Sequence, residues 1–255
     1  MTQKPYILIS NDDGVAAKGI NYLIETLHPV ADLLVVAPDS ARSGYGCAIT
    51  TNVPLTIQPV RSERGLKVYS CTGTPADCVK LALFQLVGNR QPDLVVSGIN
   101  HGDNSSINAH YSGTMGAAFE GVLHGIPSVA FSICDHNPDA DFRPMHDYII
   151  DLVFKSITMG MPRNTCLNIN FPKADNFKGV RVCRMGSTQW VNEIARARRP
   201  LTKQPVFWLT GERVDLEPEA DDTDAWALSN GYVAITPTTV DNTAYELIDV
   251  LKKLM

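Results

Sequence analysis

The chain has 255 residues, 44% hydrophobic and 19% charged, which excludes wholesale disorder and suits one large folded unit with an extension. Twenty-two Lys and Arg against 27 Asp and Glu give a net charge of −5, which disfavours binding to a nucleic-acid duplex, and no apolar run approaches the roughly 20 residues that cross a bilayer. Six cysteines are scattered without a C-x-x-C pair, and the start, Met1-Thr2-Gln3-Lys4-Pro5, lacks the apolar stretch of a signal peptide, so the chain reads as cytoplasmic with reduced thiols.

From residue 6 to about 135 one grammar recurs: a short β-branched run, a loop of Gly, Asp, Asn or Ser, then a segment of helical period. The spacing predicts a strand over Tyr6–Ser10, a helix over 19–28, a strand over 33–37, and an inserted antiparallel hairpin with strands over 53–60 and 67–71. A helix over 76–87, a strand over 94–97, a helix over 113–124, a strand over Ser128–Ile133 and a helix over about 145–159 follow. The runs at 6, 33, 94 and 128 are apolar on both faces, as in strands of a parallel sheet covered by helices on both sides. The fold class is therefore α/β, a Rossmann-like doubly wound, mostly parallel sheet, whose ligands bind outside the carboxyl ends of the strands.

Strands over 166–171 and 180–185 complete a core of residues 1–185, after which the composition changes. Residues 186–224 hold Trp190 and Trp208, a basic cluster (Arg196, Arg198, Arg199, Lys203) and then an acidic one from Glu212 to Asp224. A stretch so long without a βα repeat reads as an extended arm between subunits, with residues 225–255 returning as a strand over 232–236 and a helix over about 242–254. The opposite charges allow two arms to pair antiparallel and make a homodimer or homotetramer; folding of the arm onto its own core is the alternative.

Several motifs are incomplete. Gly14 to Gly19 has P-loop spacing but is followed by Ile20-Asn21 instead of Lys-Ser/Thr, and neither G-x-G-x-x-G nor G-x-S-x-G occurs in a suitable place. Asn11-Asp12-Asp13-Gly14, directly after the first strand, is different: adjacent carboxylates at a sheet edge repel unless a cation or a shared proton relieves them. Taken alone, the same four residues also suit a plain Asp-rich turn. The loops 38–44 and 97–102 bring a Ser hydroxyl and an Asn carbonyl to the same edge, an oxygen-only set suited to Mg²⁺, Mn²⁺ or Ca²⁺ and unsuited to zinc. Ser112-Gly113-Thr114 opens an apolar helix whose free N–H groups form a ready anion site, although a Ser N-cap alone explains these residues too. His101 and His110, in the loop between, are candidates to protonate a leaving group, or simply solvated.

Five stretches taken in order resemble the SurE family of stationary-phase survival proteins, metal-dependent 5′/3′-nucleotidases. They are Asn11-Asp12-Asp13-Gly14, Ala37-Pro38-Asp39 with Arg42-Ser43, Thr72-Gly73-Thr74-Pro75-Ala76-Asp77-Cys78, Ser97-Gly98-Ile99-Asn100, and Tyr111-Ser112-Gly113-Thr114. The likeness runs from residue 6 to about 133 and more weakly to Thr236-Pro237; it departs at Thr239-Val240-Asp241, where the family often has His-Val-Asp, so no role for that His carries over. The resemblance implies one divalent ion per subunit on Asp12, Asp13, Ser43 and Asn100, and phosphate release from nucleoside 5′- and 3′-monophosphates, with polyphosphate as a further substrate. It also implies arm exchange between subunits. Asp12 and Asp13 are then the catalytic pair, with Asp13 preferred as the base that orients a water, and Asn11, Asn100, Ser112, Gly113 and Thr114 the phosphate and substrate contacts. A catalytically silent nucleotide-binding regulator and a Rossmann-type transferase or oxidoreductase remain the alternatives.

Overall fold

The computed structural model describes residues 4–255. Residues 1–3, on which the reading of the N-terminus partly rests, lie outside them. Strands β1 (Tyr6–Ser10), β2 (Asp32–Pro38), β3 (Ile57–Glu63), β4 (Leu66–Cys71), β5 (Leu94–His101), β6 (Ser128–Ile133), β7 (Thr165–Phe171), β8 (Val180–Val182) and β13 (Val233–Thr239) form one sheet of nine. Its order is β3-β4-β2-β1-β5-β6-β7-β13-β8. From β4 to β7 all neighbours run parallel, while β3 and β13 run against the strands they join at β4 and β7. This is the expected doubly wound, mostly parallel α/β sheet.

Helices α1 (Lys18–Leu27) and α4 (His146–Thr158) cover one face and α2 (Pro75–Leu81) and α3 (Gly113–Leu123) the other. Alternate strand residues feed the two layers: Ile7, Ile9, Leu33 and Val35 pack on the first side, and Leu8, Leu34, Val36 and Val95 on the second. That is why these runs carry no polar alternation. Cys71 and Cys78 lie in the second layer, and all six cysteines are unpaired.

The inserted hairpin is present with a different register. Its turn is Arg64-Gly65, with Gly65 at φ 76, and β4 lies parallel to β2, so the hairpin forms the margin of the main sheet. Leu66 and Val68 are buried and draw β4 into the core, whereas β3, exposed and carrying Pro59, Arg61 and Glu63, is protected as an edge. The helix expected over 76–87 is α2 followed by a π-helical turn over Ala82–Leu86.

The arm is a two-tier hairpin. Near the core β9 (Thr188–Val191) pairs with β12 (Glu212–Asp215), and beyond it β10 (Ile194–Arg198) pairs with β11 (Pro205–Leu209), all antiparallel. Short helix α5 (Asp224–Ser229) leads into β13, and α6 (Tyr245–Leu254) ends the chain with no buried residue. In the sheet β1 is flanked by β2 and β5, and the order reverses there, which opens a crevice at the carboxyl ends of β1 and β5.

Candidate functional site

The first strand delivers its acids into that crevice. Asn11 is fully buried and closed on Gly14: its Nδ2 donates to the Gly14 carbonyl at 3.0 Å, and Gly14 N–H donates to Oδ1 at 3.2 Å. Gly14 itself sits at φ 100, which a side chain would resist. The turn so fixed presents Asp12 and Asp13 side by side. Asp12, only 4% exposed, accepts from the Thr114 hydroxyl at 2.5 Å, and half-buried Asp13 accepts from His101 N–H at 3.3 Å. Burial pushes the Asp12 carboxyl up to about 6, against the Thr114 hydrogen bond and helped by the charge of Asp13. Burial raises Asp13 too, opposed by the His101 N–H. Among the described residues neither acid forms an ion pair with Lys or Arg. Two carboxylates withdrawn from water with no basic partner are held at a cost that a bound cation removes.

The start of α3 rests directly on Asp12. A Cβ added at Gly113 would lie 2.7 Å from Asp12 Cβ and 3.1 Å from Pro75 Cγ, so only glycine lets the first turn approach this closely. Ser112 is the N-cap, its Oγ accepting from Met115 N–H at 3.0 Å. The next N–H groups, at Gly113 and Thr114, belong to the unpaired first turn of a helix. Thr114 is fully buried with its hydroxyl committed to Asp12, so towards the crevice it offers its backbone N–H.

Two neighbouring loops complete the edge. Arg42 N–H donates to the Asp12 carbonyl at 2.7 Å, which sets exposed Ser43 beside the acids. The Arg42 guanidinium is engaged with Asp39 at 3.1 Å and the Thr72 carbonyl at 3.2 Å, the surface ion pair rather than a free anion ligand. On β5 the register against β6 shifts between Ser97 and Asn100, a bulge of the kind that re-aims a side chain beside a site. Asn100 Nδ2 donates to the Gly102 carbonyl at 2.7 Å, so its carbonyl oxygen is the group left to offer. No group of three or more His, Cys, Asp or Glu able to hold a metal occurs among the described residues. The donor set is instead two carboxylates with neutral oxygens, and these fit a hard divalent cation. His101 packs edge-on to Phe142 with ring centroids 5.3 Å apart, and His110 is exposed.

A buried polar layer supports the loop beyond Asn100, and sequence reasoning missed it. Asn104 N–H donates to Asn170 Oδ1, its Nδ2 to Ser132 Oγ, and Asn168 Nδ2 to the Asn104 carbonyl, each at 2.8 Å. Fully buried Asp224 accepts from Ser106 N–H at 2.8 Å, from Ser106 Oγ at 2.6 Å and from Gly186 N–H at 2.9 Å. The arm joins in through Arg213, paired with Asp103 at 2.6 Å, and Trp190, whose Nε1 donates to Asn108 Oδ1 at 2.9 Å. The available signal was Asn168 and Asn170 at alternate positions of an otherwise apolar strand.

Comparison with known proteins accords with this geometry. The family described as survival protein SurE matches residues 7–192. A 5′-nucleotidase SurE of Bacteroides thetaiotaomicron is 56% identical over 250 residues, covering 98% of this chain and 96% of the relative. The chain belongs to the SurE family. A second 5′-nucleotidase SurE, from Bacteroides fragilis, is 52% identical and covers 98% of this chain and 97% of its own. The crystal structure of the SurE protein from Aquifex aeolicus has a TM-score of 0.84 to this fold at 36% identity, covering 98% of this chain and 99% of that one. The SurE match contains all five sequence stretches, and the full-length relatives extend it through the arm, β13 and most of α6.

Proposed function

We propose that this chain is a divalent-metal-dependent phosphomonoesterase acting on nucleoside 5′-monophosphates. The observation that carries the reading is the junction of Gly113 and Thr114 with Asp12: an anion-binding helix start packed against buried acids that lack a basic partner. The substrate class rests on relatives named 5′-nucleotidase SurE. One magnesium or manganese ion per subunit, held by Asp12, Asp13, Ser43 and Asn100, supplies charge neutralisation and in-line orientation when bound.

The protein groups divide the remaining work. Asp13, the more accessible acid, orients the attacking water and takes its proton. The N–H groups of Gly113 and Thr114 and the Ser112 hydroxyl hold phosphate oxygens and stabilise the charge that develops on them. Asn11 and the Thr114 hydroxyl act one step back: the first shapes the turn and the second fixes Asp12. Nucleoside 3′-monophosphates and the ends of polyphosphate present the same phosphoryl group and are included as substrates. The test is phosphate release from 5′- and 3′-monophosphates and polyphosphate with and without Mg²⁺ or Mn²⁺. Release that is unaffected by chelator overturns the metal assignment, and binding without release favours a nucleotide-sensing regulator.

The assembly proposed is a homodimer or homotetramer built by the arm and α6. Its support is exposed apolar surface: Trp208 and Leu209 on the arm, and Leu247, Val250, Leu251 and Leu254 on α6. A cleft of about 790 Å³ beside α3, lined in part by Phe119, Leu123, Met185 and Val240, offers further apolar surface on which side chains of a second copy can pack. Trp190 is already engaged within its own chain, so Trp208 is the anchor left for a partner. A monomer of 27.9 kDa in sedimentation at micromolar concentration would overturn this. No described helix is long and apolar enough to cross a membrane, and the unpaired thiols suit the cytoplasmic location we propose.

A further inference from the structure

Two tyrosines on the segments that meet Asp12 are largely uncovered. Tyr45 is 53% exposed and Tyr111 is 57% exposed, whereas Tyr22 and Phe142, in the α1 and α4 layer, pack against each other at 5.6 Å. Neither Tyr45 nor Tyr111 takes part in an aromatic pair or a cation–π contact among the described residues. The two lie on abutting segments. Gly46 N–H donates to the Tyr111 carbonyl at 3.1 Å, and Gly46, at φ 56, comes so near that a Cβ there would sit 3.3 Å from the His110 carbonyl.

Both segments are tied to the same residue, one to its backbone carbonyl and the other to its side chain. Arg42 N–H bonds the Asp12 carbonyl, and Tyr45 follows Ser43 by two residues. Tyr111 precedes Ser112, the N-cap of the helix that packs on Asp12 through Gly113. Both rings therefore leave the backbone at the rim of the crevice. Exposed rings in such a place gain most from a flat apolar partner, and a nucleobase offers one.

We propose that Tyr45 and Tyr111 form an aromatic platform that stacks the base of a nucleoside monophosphate whose phosphate lies at the start of α3. The inference rests on the phosphate site proposed above. It assigns recognition to the π-face of the base and not to its hydrogen-bonding edge, so it separates nucleotides from base-free phosphomonoesters while tolerating different bases, with purines gaining more than pyrimidines.

The experiment compares adenosine 5′-monophosphate with ribose 5-phosphate, the same phosphate ester without the base, in the unsubstituted protein, the Tyr45→Ala, Tyr111→Ala pair and the Tyr45→Phe, Tyr111→Phe pair. Stacking on one ring is worth about tenfold in binding. The Ala pair should therefore lower the ratio of kcat/KM, nucleotide over ribose phosphate, by about tenfold or more, mainly through KM, and the Phe pair should restore it. Calorimetric titration of both ligands in Mg²⁺ reads the same ratio without turnover. A ratio unchanged in the Ala pair, or lost equally in the Phe pair, overturns the platform, as does an unchanged ratio with altered sedimentation, which would assign the rings to a subunit contact. If the unsubstituted protein releases phosphate from neither ester, the phosphatase reading fails by itself, and the calorimetric ratio still decides the platform.

Discussion

At the carboxyl edge of the sheet, polar groups find partners from far along the chain: Thr114 on Asp12, Asp224 on Ser106, Asn168 and Asn170 on Asn104. In the outer tier of the arm and in α6 the situation is reversed. Phe207, Trp208 and Leu209 face water, α6 buries nothing, and Arg196, Arg198, Arg199 and Lys203 form no ion pair among the described residues. The edge is closed by one chain, so a change there acts on chemistry and local stability. The arm leaves apolar surface uncovered within its own chain, so a change there is expected to act on the assembly proposed above.

The contrast is broken most severely at the acids. Asp12→Asn and Asp13→Asn should each lower phosphate release by about a thousandfold or more at low metal concentration, the scale of losing a preorganised charge in a closed site. Circular dichroism should still report a folded protein. Wild-type turnover in both variants would remove the acids from the mechanism.

Stability of the metal-free protein moves the other way. The Asp12 carboxyl is raised from its ordinary 3.8 to about 6, so protonation favours the folded state; this stability is complete below pH 4 and lost as pH rises through 6. On the order of 3 kcal/mol is forfeited at neutral pH. Metal-free Asp12→Asn should therefore melt above the unsubstituted protein at pH 8, with the gap closing towards pH 4. A gap independent of pH would show that Asp12 is not strained by its charge.

Smaller effects separate the two regions more finely. Ser112→Ala removes the N-cap bond to Met115 and should cost about 1 kcal/mol in denaturant unfolding, together with weaker competition by product phosphate. If only stability falls, Ser112 is a cap and nothing more. Trp208→Ser on the arm should leave the unfolding free energy of a monomer within about 0.5 kcal/mol while shifting sedimentation towards the 27.9 kDa species. Loss of stability without a shift in mass would mean that the arm serves its own chain.

Local signals determined a large share of this protein. β1 and β6 begin and end where the apolar runs predict, because a strand buried on both faces must be apolar at every position and a turn residue stops it sharply. The order of strands and helices, the carboxyl-edge loops and the adjacent Asp12 and Asp13 follow from the same one-dimensional pattern. Tertiary structure decided which hydroxyl meets which acid. Thr114 reads as a phosphate ligand in sequence, yet its hydroxyl is taken by Asp12 once Gly113 brings α3 within contact distance. Asn11 likewise turns inward to Gly14. The hairpin took its register from Leu66 and Val68, which had to reach the core beside β2, and Trp190 and Trp208, alike in composition, were divided between an internal bond to Asn108 and open solvent. Asp224 with Ser106 and Arg213 with Asp103 bridge more than a hundred residues. No spacing along the chain encodes such pairs, since they exist only after the sheet has brought its loops to one edge and burial has taken water away as the competing partner.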